Sequence, residues 1–573
     1  MCRLYYEAMG KQISIWFLGN TGLRNPLRIW EGLKLLEESP FNGKLRGANE
    51  ARFQTLLNSA GIIHATGKAE DDSSYARKWR LMFGRFGFIY PKVKRREGRQ
   101  EDLGQLDLVT PFGKAFLKAE EYPAQQECFL RSLSLEQIEA PDDFGFFSPL
   151  RWILAVMLEL EKRTGSSEIS RIEFCLWGHT TNPSYKVSEV VDSILDLRRR
   201  RKDAPAKRRF DAAEIKKRGE DYSHENKNFT DYGDMNMRYL RISGVVQRKG
   251  RGLIIVPAKH LLAEQLAKDT ATRRPIMDVY RELCNGAPLP TDNLDTAKAL
   301  LSNMESQLKA NHILYDLSDR PLNTVAEINI ARQYLEKLWM DTDELKYASE
   351  QSNQWQEISD YMSLLIDGGG KKIDNDDEDN GIEVPKEETP VYLEWTLWRA
   401  ALAMGALTNH PSEVRGFRLD SDFLPVSTAG GGQGDLYWEY QDFTILTEVT
   451  MSRSSRQEAM EGEPVRRHVS DAVLKYGEKN IPVYGLFVAI KIDTNTAETF
   501  RHGIWYTKDD AKQRLDILPL PLEQFQSFFV SLFQSNEPAK PQKVKQLIEN
   551  CEAVRDKMQA PEWKQYIADE VIR

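Results

Sequence analysis

The sequence predicts a multidomain chain that mixes α+β and α/β modules, and three observations carry that prediction. At 573 residues the chain is long enough for about four domains. Its apolar periodicity changes along its length: helical spacing broken by short β-rich runs to about residue 270, helical spacing alone to about 388, and alternating helices and strands after that. Its charge is uneven, with nineteen Lys and Arg against eleven Asp and Glu between Lys186 and Lys259 in a protein of net charge −8. Together these give four expected domains, 1–140, 141–270, 271–388 and 389–573. The composition, 41% hydrophobic and 29% charged, is that of a soluble globular protein. Cys2, Cys128, Cys175, Cys284 and Cys551 are scattered, odd in number and without CxxC spacing. That argues against a disulfide framework or a zinc site and for a reducing, cytoplasmic setting. The histidines show no HExxH spacing, no apolar run reaches a membrane span, and no signal-peptide pattern opens the chain. Met1 and Met9 remain equal candidates for the start.

In the first module, Leu27–Glu38 and Ala51–Ala60 carry helical spacing, and Ser74–Phe83 is a basic helix with Arg77, Lys78 and Arg80. Phe86–Tyr90 then reads as a strand, Lys92, Lys94, Arg95, Arg96 and Arg99 as a basic loop, Leu106–Leu108 as a second strand, and Thr110–Leu117 as a helix. Helix, strand, basic hairpin, strand and helix is the order of a winged helix; a generic α/β hairpin unit is the alternative. The second module repeats the theme. Pro149–Leu160, Ser167–Trp177 and Val187–Arg201 are helical, Asn236–Ser243 reads as a helix end, and Val245–Arg251 pairs with Leu253–Val256 around Lys249-Gly250-Arg251-Gly252. Charge runs are usually solvated faces. Here they are interleaved with Phe229, Tyr232 and Tyr239 and lie beside a helix–wing pattern, which favours a polyanion, most simply duplex DNA. The candidate DNA-binding residues are Arg77, Lys78, Arg198, Arg199, Arg200, Arg201, Arg238 and Arg241.

Residues 271–388 carry the helical repeats Leu300–Leu314, Val325–Met340 and Gln351–Leu365. Gly368-Gly369-Gly370 and the acidic run Asp374, Asp376, Asp377, Glu378 and Asp379 then read as a flexible, charge-extended linker. The terminal Glu of an EF-hand loop is absent. From 389 the expected order is a helix (Val391–Leu407) carrying Glu394, a hairpin, a helix opened by Pro464 and running to Lys475, a central apolar strand (Pro482–Ile490), a short helix, a strand at Leu515–Leu520 and further helices.

The hairpin holds the candidate chemistry. In GGGQGDLYWEYQDFTILTEVT a two-residue loop at Gln441-Asp442 pairs Tyr440 with Phe443 and sets Asp435 opposite Glu448. Cross-strand neighbours share one face, and like charges so placed repel. A hard cation with oxygen ligands, Mg²⁺, resolves that conflict. Glu461, thirteen residues beyond Glu448 and just before the expected helix, is a third oxygen donor. Gly430, Gly431, Gly432 and Gly434 allow close backbone approach before Asp435. The alternative for any such pair is two ordinary solvated acids, but Glu448 interrupts an apolar strand and shares the face of Leu446.

A helix bearing Glu394, then Asp435, then Glu448-Val449-Thr450 resembles the PD-(D/E)xK nuclease core. Thr450 stands where that core has lysine. Glu461 could take over part of that work as a ligand or by orienting water, and Arg466, Arg467 and Lys475 could contribute the positive charge, unless they form an exposed helix face. More specifically, Leu393-Glu394-Trp395, the run from Leu424-Pro425-Val426 to Gln433-Gly434-Asp435, Leu446–Thr450 and Met460–His468 resemble the AlwI/BstNBI-type family of type IIS restriction endonucleases, which includes strand-nicking members. The resemblance implies two winged-helix-like DNA-recognition subdomains, a helical linker and a PD-(D/E)xK-like cleavage domain, organised as in FokI. It implies Asp435 and Glu448 as Mg²⁺ ligands, Glu461 as a further acidic active-site residue and Glu394 as the acid of the first helix. Such an enzyme binds a short asymmetric double-stranded site and hydrolyses a phosphodiester bond a few bases to one side. One chain carries one active site, so a second cut needs a second copy or a small catalytic subunit. A cognate DNA methyltransferase is implied as well. Two other readings stay open: a strand-specific nicking large subunit, and a DNA-binding regulator with an inactive nuclease domain.

Overall fold

The computed structural model describes residues 15–573 apart from 21–22, 64–72, 141–144, 221–225, 273, 375–376, 431 and 478–479. Met1, Cys2, Met9, Asp376 and Gly431 therefore lie outside the described residues. Packing divides the chain into two compact units. One takes the described residues up to Trp339 with a short piece inside Asp374–Asn380; the other takes Met340–Ile373 and Gly381–Arg573.

In the N-terminal unit the helix Ser74–Arg85 is followed by an antiparallel bridge between Ile89 and Val109. Three backbone bonds of 3.0 Å close the loop between them: Tyr90 N–H to Leu108 O, Asp107 N–H to Tyr90 O, and Thr110 N–H to Phe88 O. The basic residues of that loop project from a short extended pair. The second basic segment contains the helix Asn226–Arg241 and the hairpin Val246–Lys249 with Gly252–Ile255, which pairs Lys249 with Gly252 and leaves Gly250 and Arg251 in the turn. The two segments share one core. Phe86 stacks on Tyr239 at 6.1 Å, and Phe86, Phe88, Phe116 and Phe129 pack against one another. A three-stranded sheet of Ile138–Glu139, Phe146–Phe147 and Ala271–Thr272 also spans the expected boundaries at 140 and 270.

The expected linker is corrected by the structure. Gly370–Asp374 and Asp377–Val384 form a two-stranded sheet, not an extended coil. Lys371 Nζ lies 3.2 Å from Glu383 Oε1, an opposite-charge pair between the two strands.

The C-terminal unit is a four-stranded sheet between two helical layers. Its elements are α1 (Trp355–Ile366), α2 (Thr389–Met404), β1 (Leu436–Glu439), β2 (Thr444–Thr450), α3 (Gln457–Gly477), β3 (Val483–Ala489), α4 (Thr494–His502), β4 (Ile517–Pro521), α5 (Leu522–Gln534), α6 (Lys540–Glu552) and α7 (Ala560–Ile572). The order is β1-β2-β3-β4, with β1 antiparallel to β2 and the other pairs parallel. Alternation along the strands assigns each residue a layer. Ile445, Leu486, Val488, Leu518 and Leu520 pack with α1, α2 and α5 to α7, whereas Leu446, Phe487, Ala489 and Ile517 pack with α3 and α4.

The structure also corrects one helix boundary. Pro464 does not open α3 but lies inside it, seven residues after the start at Gln457. Proline has no N–H to offer the carbonyl of Met460, so the helix carries a missing rung where the sequence pattern suggested a beginning.

Candidate active site

The β1–β2 ladder pairs Leu436 with Thr447, Tyr437 with Leu446, Trp438 with Ile445 and Glu439 with Thr444. Tyr440 N–H donates to Phe443 O at 2.9 Å and closes the two-residue turn. The next rung beyond Leu436 and Thr447 brings Asp435 and Glu448 together at the open end of the hairpin. Asp435 accepts the backbone N–H of Val449 at 2.9 Å, which fixes its carboxylate against β2. Glycine makes this approach feasible at one position above all. A Cβ on Gly434 would stand 2.5 Å from Leu446 Cδ1 and 3.1 Å from Glu448 Oε1.

The other acids arrive from helices. Glu394, in the buried middle of α2, accepts the Ala429 N–H at 2.8 Å. That bond ties α2 to the loop before Asp435. Glu461 projects from α3, where it hydrogen-bonds with Thr450. The four acids form one electrostatic cluster. Burial, then the neighbouring charge of Asp435, raises the Glu394 carboxyl well above the usual range. Burial and the charge of Glu448 do the same to Asp435. Glu448, only 7% exposed, is pushed up to about 8 by burial and by Glu461. Asp435 and Glu448 are hydrogen-bonded to each other, the behaviour of like charges confined together.

His468 is the residue that sequence reasoning missed. Its Nδ1 lies 2.8 Å from Glu448 Oε1, and its Nε2 is buried with no hydrogen-bond partner among the described residues. Burial lowers its pKa and so favours the neutral ring, and one proton is shared along the Nδ1–Oε1 contact. The signal was present: 461 and 468 are seven residues apart and fall on one face of a continuous helix. Taking Pro464 as the helix start placed Glu461 outside the helix and hid that relation.

The donor set is oxygen-rich, with one imidazole at its edge. Among the described residues no three His, Cys, Asp or Glu side chains stand in an arrangement ready to hold a metal ion. The crowding that raises the carboxyl pKa values is itself the observation that fits a cation, because a positive charge would relieve it.

The basic candidates lie in the N-terminal unit. Arg198 is held by Glu173 at 2.7 Å and by the Glu168 carbonyl at 2.6 Å. Arg200 bridges Asp196 and Glu214, and Arg201 pairs with Asp211 at 2.8 Å. Arg199 pairs with Asp196 and keeps a 75% exposed side chain. Arg77 is exposed, and Lys78 lies over the Tyr75 ring at 5.4 Å. Arg238 and Arg241 are half-buried on the helix before the hairpin. Much of the arginine run thus joins elements of its own unit, a use that charge counting does not reveal. No described helix is long and apolar enough to cross a membrane.

Comparison with known proteins gives independent findings. No curated protein matches the chain. Among solved structures, the small subunit of the heterodimeric restriction endonuclease R.BspD6I matches with 26% identity over 37% of this chain and 97% of its own, at a TM-score of 0.29. The BpuJ1 endonuclease binding domain, solved with pyrene- and phenanthrene-modified DNA, matches with 10% identity over 48% of this chain and 95% of its own, at a TM-score of 0.31. The AlwI restriction endonuclease family matches residues 85–528, a span that takes in the acids at 394, 435, 448 and 461, His468 and both basic hairpins. On that match the chain belongs to the AlwI restriction endonuclease family.

Proposed function

We propose that the protein is a Mg²⁺-dependent type IIS restriction endonuclease. In this reading it binds a short asymmetric duplex site through two winged-helix-like segments and cuts a few bases away with a PD-(D/E)xK-like domain. The observation that carries the reading is the convergence of Glu394, Asp435, Glu448 and Glu461, with raised carboxyl pKa values, at the open end of one hairpin. Acids crowded at a stability cost point to function more than to folding.

Asp435, Glu448 and Glu461 would hold the Mg²⁺. When bound, the ion supplies Lewis-acid polarisation of the phosphoryl oxygen and a lowered pKa for its water. The chain's own residues do the rest. The Val449 N–H holds Asp435 in place, His468 orients Glu448, and the Ala429 N–H anchors Glu394. Thr450 cannot act as a base; its contact with Glu461 keeps that carboxylate beside the strand end.

One chain has one such site, so each visit cuts one strand. A second copy or a small catalytic subunit would complete a double cut, and a cognate methyltransferase would protect host sites. Thr450, in the position of the usual lysine, favours a second reading: a DNA-binding regulator whose cleavage domain is inactive. One experiment separates them. Plasmid incubated with the protein and Mg²⁺ is converted to discrete nicked or linear products whose ends map to one offset. Sequence-specific binding without cleavage in any divalent ion would instead support the regulator, and unchanged cleavage by Asp435→Asn would remove the proposed site.

A further inference from the structure

Hydrolysis of a phosphodiester gathers negative charge on the non-bridging oxygens, and a positioned cation stabilises it. The acid cluster provides none, and Thr450 stands where the related nuclease core carries lysine. The helix that delivers Glu461 and His468 carries three cations, Arg466, Arg467 and Lys475. Two are committed to the fold. Arg466 donates through Nε to the Gly462 carbonyl at 2.8 Å and through Nη1 to the Ile504 carbonyl at 3.3 Å, and it lies over the Trp505 ring at 5.6 Å. Lys475 donates to the Tyr476 hydroxyl at 3.1 Å and sits over the Tyr476 and Tyr437 rings at 4.8 and 5.4 Å.

Arg467 is held differently. Its Nε meets Glu463 Oε1 at 3.0 Å, one turn back on the same helix, with side chains 37% and 55% exposed. Exposed pairs of this kind hold weakly and exchange readily for another anion. Arg467 also immediately precedes His468, the residue bonded to Glu448, and its charge already bears on Glu448. Its guanidinium can take two phosphate oxygens at once, as an ammonium cannot.

We propose that Arg467 is the cation that contacts the scissile phosphate in place of the missing lysine, and that Glu463 parks it in the free protein. The inference rests on the endonuclease reading. On arrival of DNA the guanidinium leaves Glu463 for the phosphate, so the contact strengthens as charge builds there. Arg467 thus acts on the chemical step more than on docking.

The test is single-turnover nicking of supercoiled plasmid in Mg²⁺ by the full chain, with binding to the same plasmid measured alongside. Arg467→Ala is expected to slow the chemical step by roughly 100-fold or more, with binding and melting temperature nearly unchanged. Arg467→Lys should recover at least a tenth of the wild-type rate, and Glu463→Gln should cut at least as fast as wild type. Equal rates for wild type and Arg467→Ala overturn the inference while leaving the endonuclease reading intact. A loss of binding that accounts for the whole loss of rate also overturns it, because Arg467 would then be only a docking contact. A wild-type protein that nicks nothing overturns the endonuclease reading itself, and this inference with it.

Discussion

Asp435 and Glu448 are held together by a β-hairpin that leaves them little room to part, and the folded chain bears that repulsion whenever no cation is present. Asp435→Asn removes one charge and keeps the shape and the acceptor for the Val449 N–H. It should therefore stabilise the metal-free protein by about 1 kcal/mol, or roughly 2–4 °C in Tm for a domain of this size, while abolishing cleavage. Thermal melts in chelator, set beside a plasmid assay, check both halves; a variant that is inactive and also less stable would argue that Asp435 serves the fold. A second residue-scale expectation concerns His179, buried among Trp16, Phe174 and Phe229. Burial depresses its pKa to about 3, against about 6.5 in the unfolded chain. Between these values the unfolded state binds a proton that the native state refuses, so stability rises with pH across that window and is lost as pH falls below 6.5. The slope reaches about 1.4 kcal/mol per pH unit, and His179→Phe should flatten the pH dependence of the unfolding free energy of the N-terminal unit, taken from urea denaturation between pH 6 and 4, by up to that amount.

At the scale of elements, the carboxylate hairpin was legible because its information is local. A two-residue turn fixes the register, and the register fixes which residues face each other. Glu394 was legible only through resemblance, since nothing in its helix announces that the Ala429 N–H will reach it. His468 was hidden by Pro464, which sequence rules read as a helix start and which the packing of Val465, Val469 and Ala472 against the sheet overrides. The acidic segment near 377 was misread for a related reason: pairing between strands is non-local, whereas a charge run is visible locally. The least legible feature is Arg399, a charged residue 1% exposed on an apolar helix. Its guanidinium donates to Gln351 at 2.6 Å, Gln354 at 2.6 Å and Glu357 at 2.8 Å, and lies over the Trp395 ring at 4.7 Å. Arg399→Met keeps the volume but leaves the buried Gln351 amide oxygen without its donor, and should cost about 2 kcal/mol, read as a lowered urea midpoint. A neutral result would mean that α1 and α2 are held by apolar contacts alone.

Arg399 also bears on where the molecule divides. Sequence composition put the start of the cleavage domain at 389, after the glycine and acid run, but the compact unit begins at Met340. The difference is physical. Ile358, Tyr361, Met362 and Leu365 of α1 are buried in the same core as α2 and the sheet, and Glu344 holds Arg415 through two bonds of 3.0 and 3.2 Å. Burial of four such side chains contributes about 1.5–3 kcal/mol each, an upper bound because the unfolded chain already hides part of that surface. Even discounted, the sum is comparable to the whole stability of an ordinary domain, about 5–15 kcal/mol. A fragment of residues 340–573 should therefore fold cooperatively, with native far-ultraviolet dichroism and a single urea transition. A fragment of 389–573 should expose the apolar faces of α2 and α5, bind hydrophobic dye and aggregate. Cooperative folding of the shorter fragment would show that α1 is an accessory to the domain, and would return the boundary to 389. If the longer fragment folds and nicks plasmid without sequence preference, the acid cluster needs nothing from the N-terminal unit except the address at which to cut.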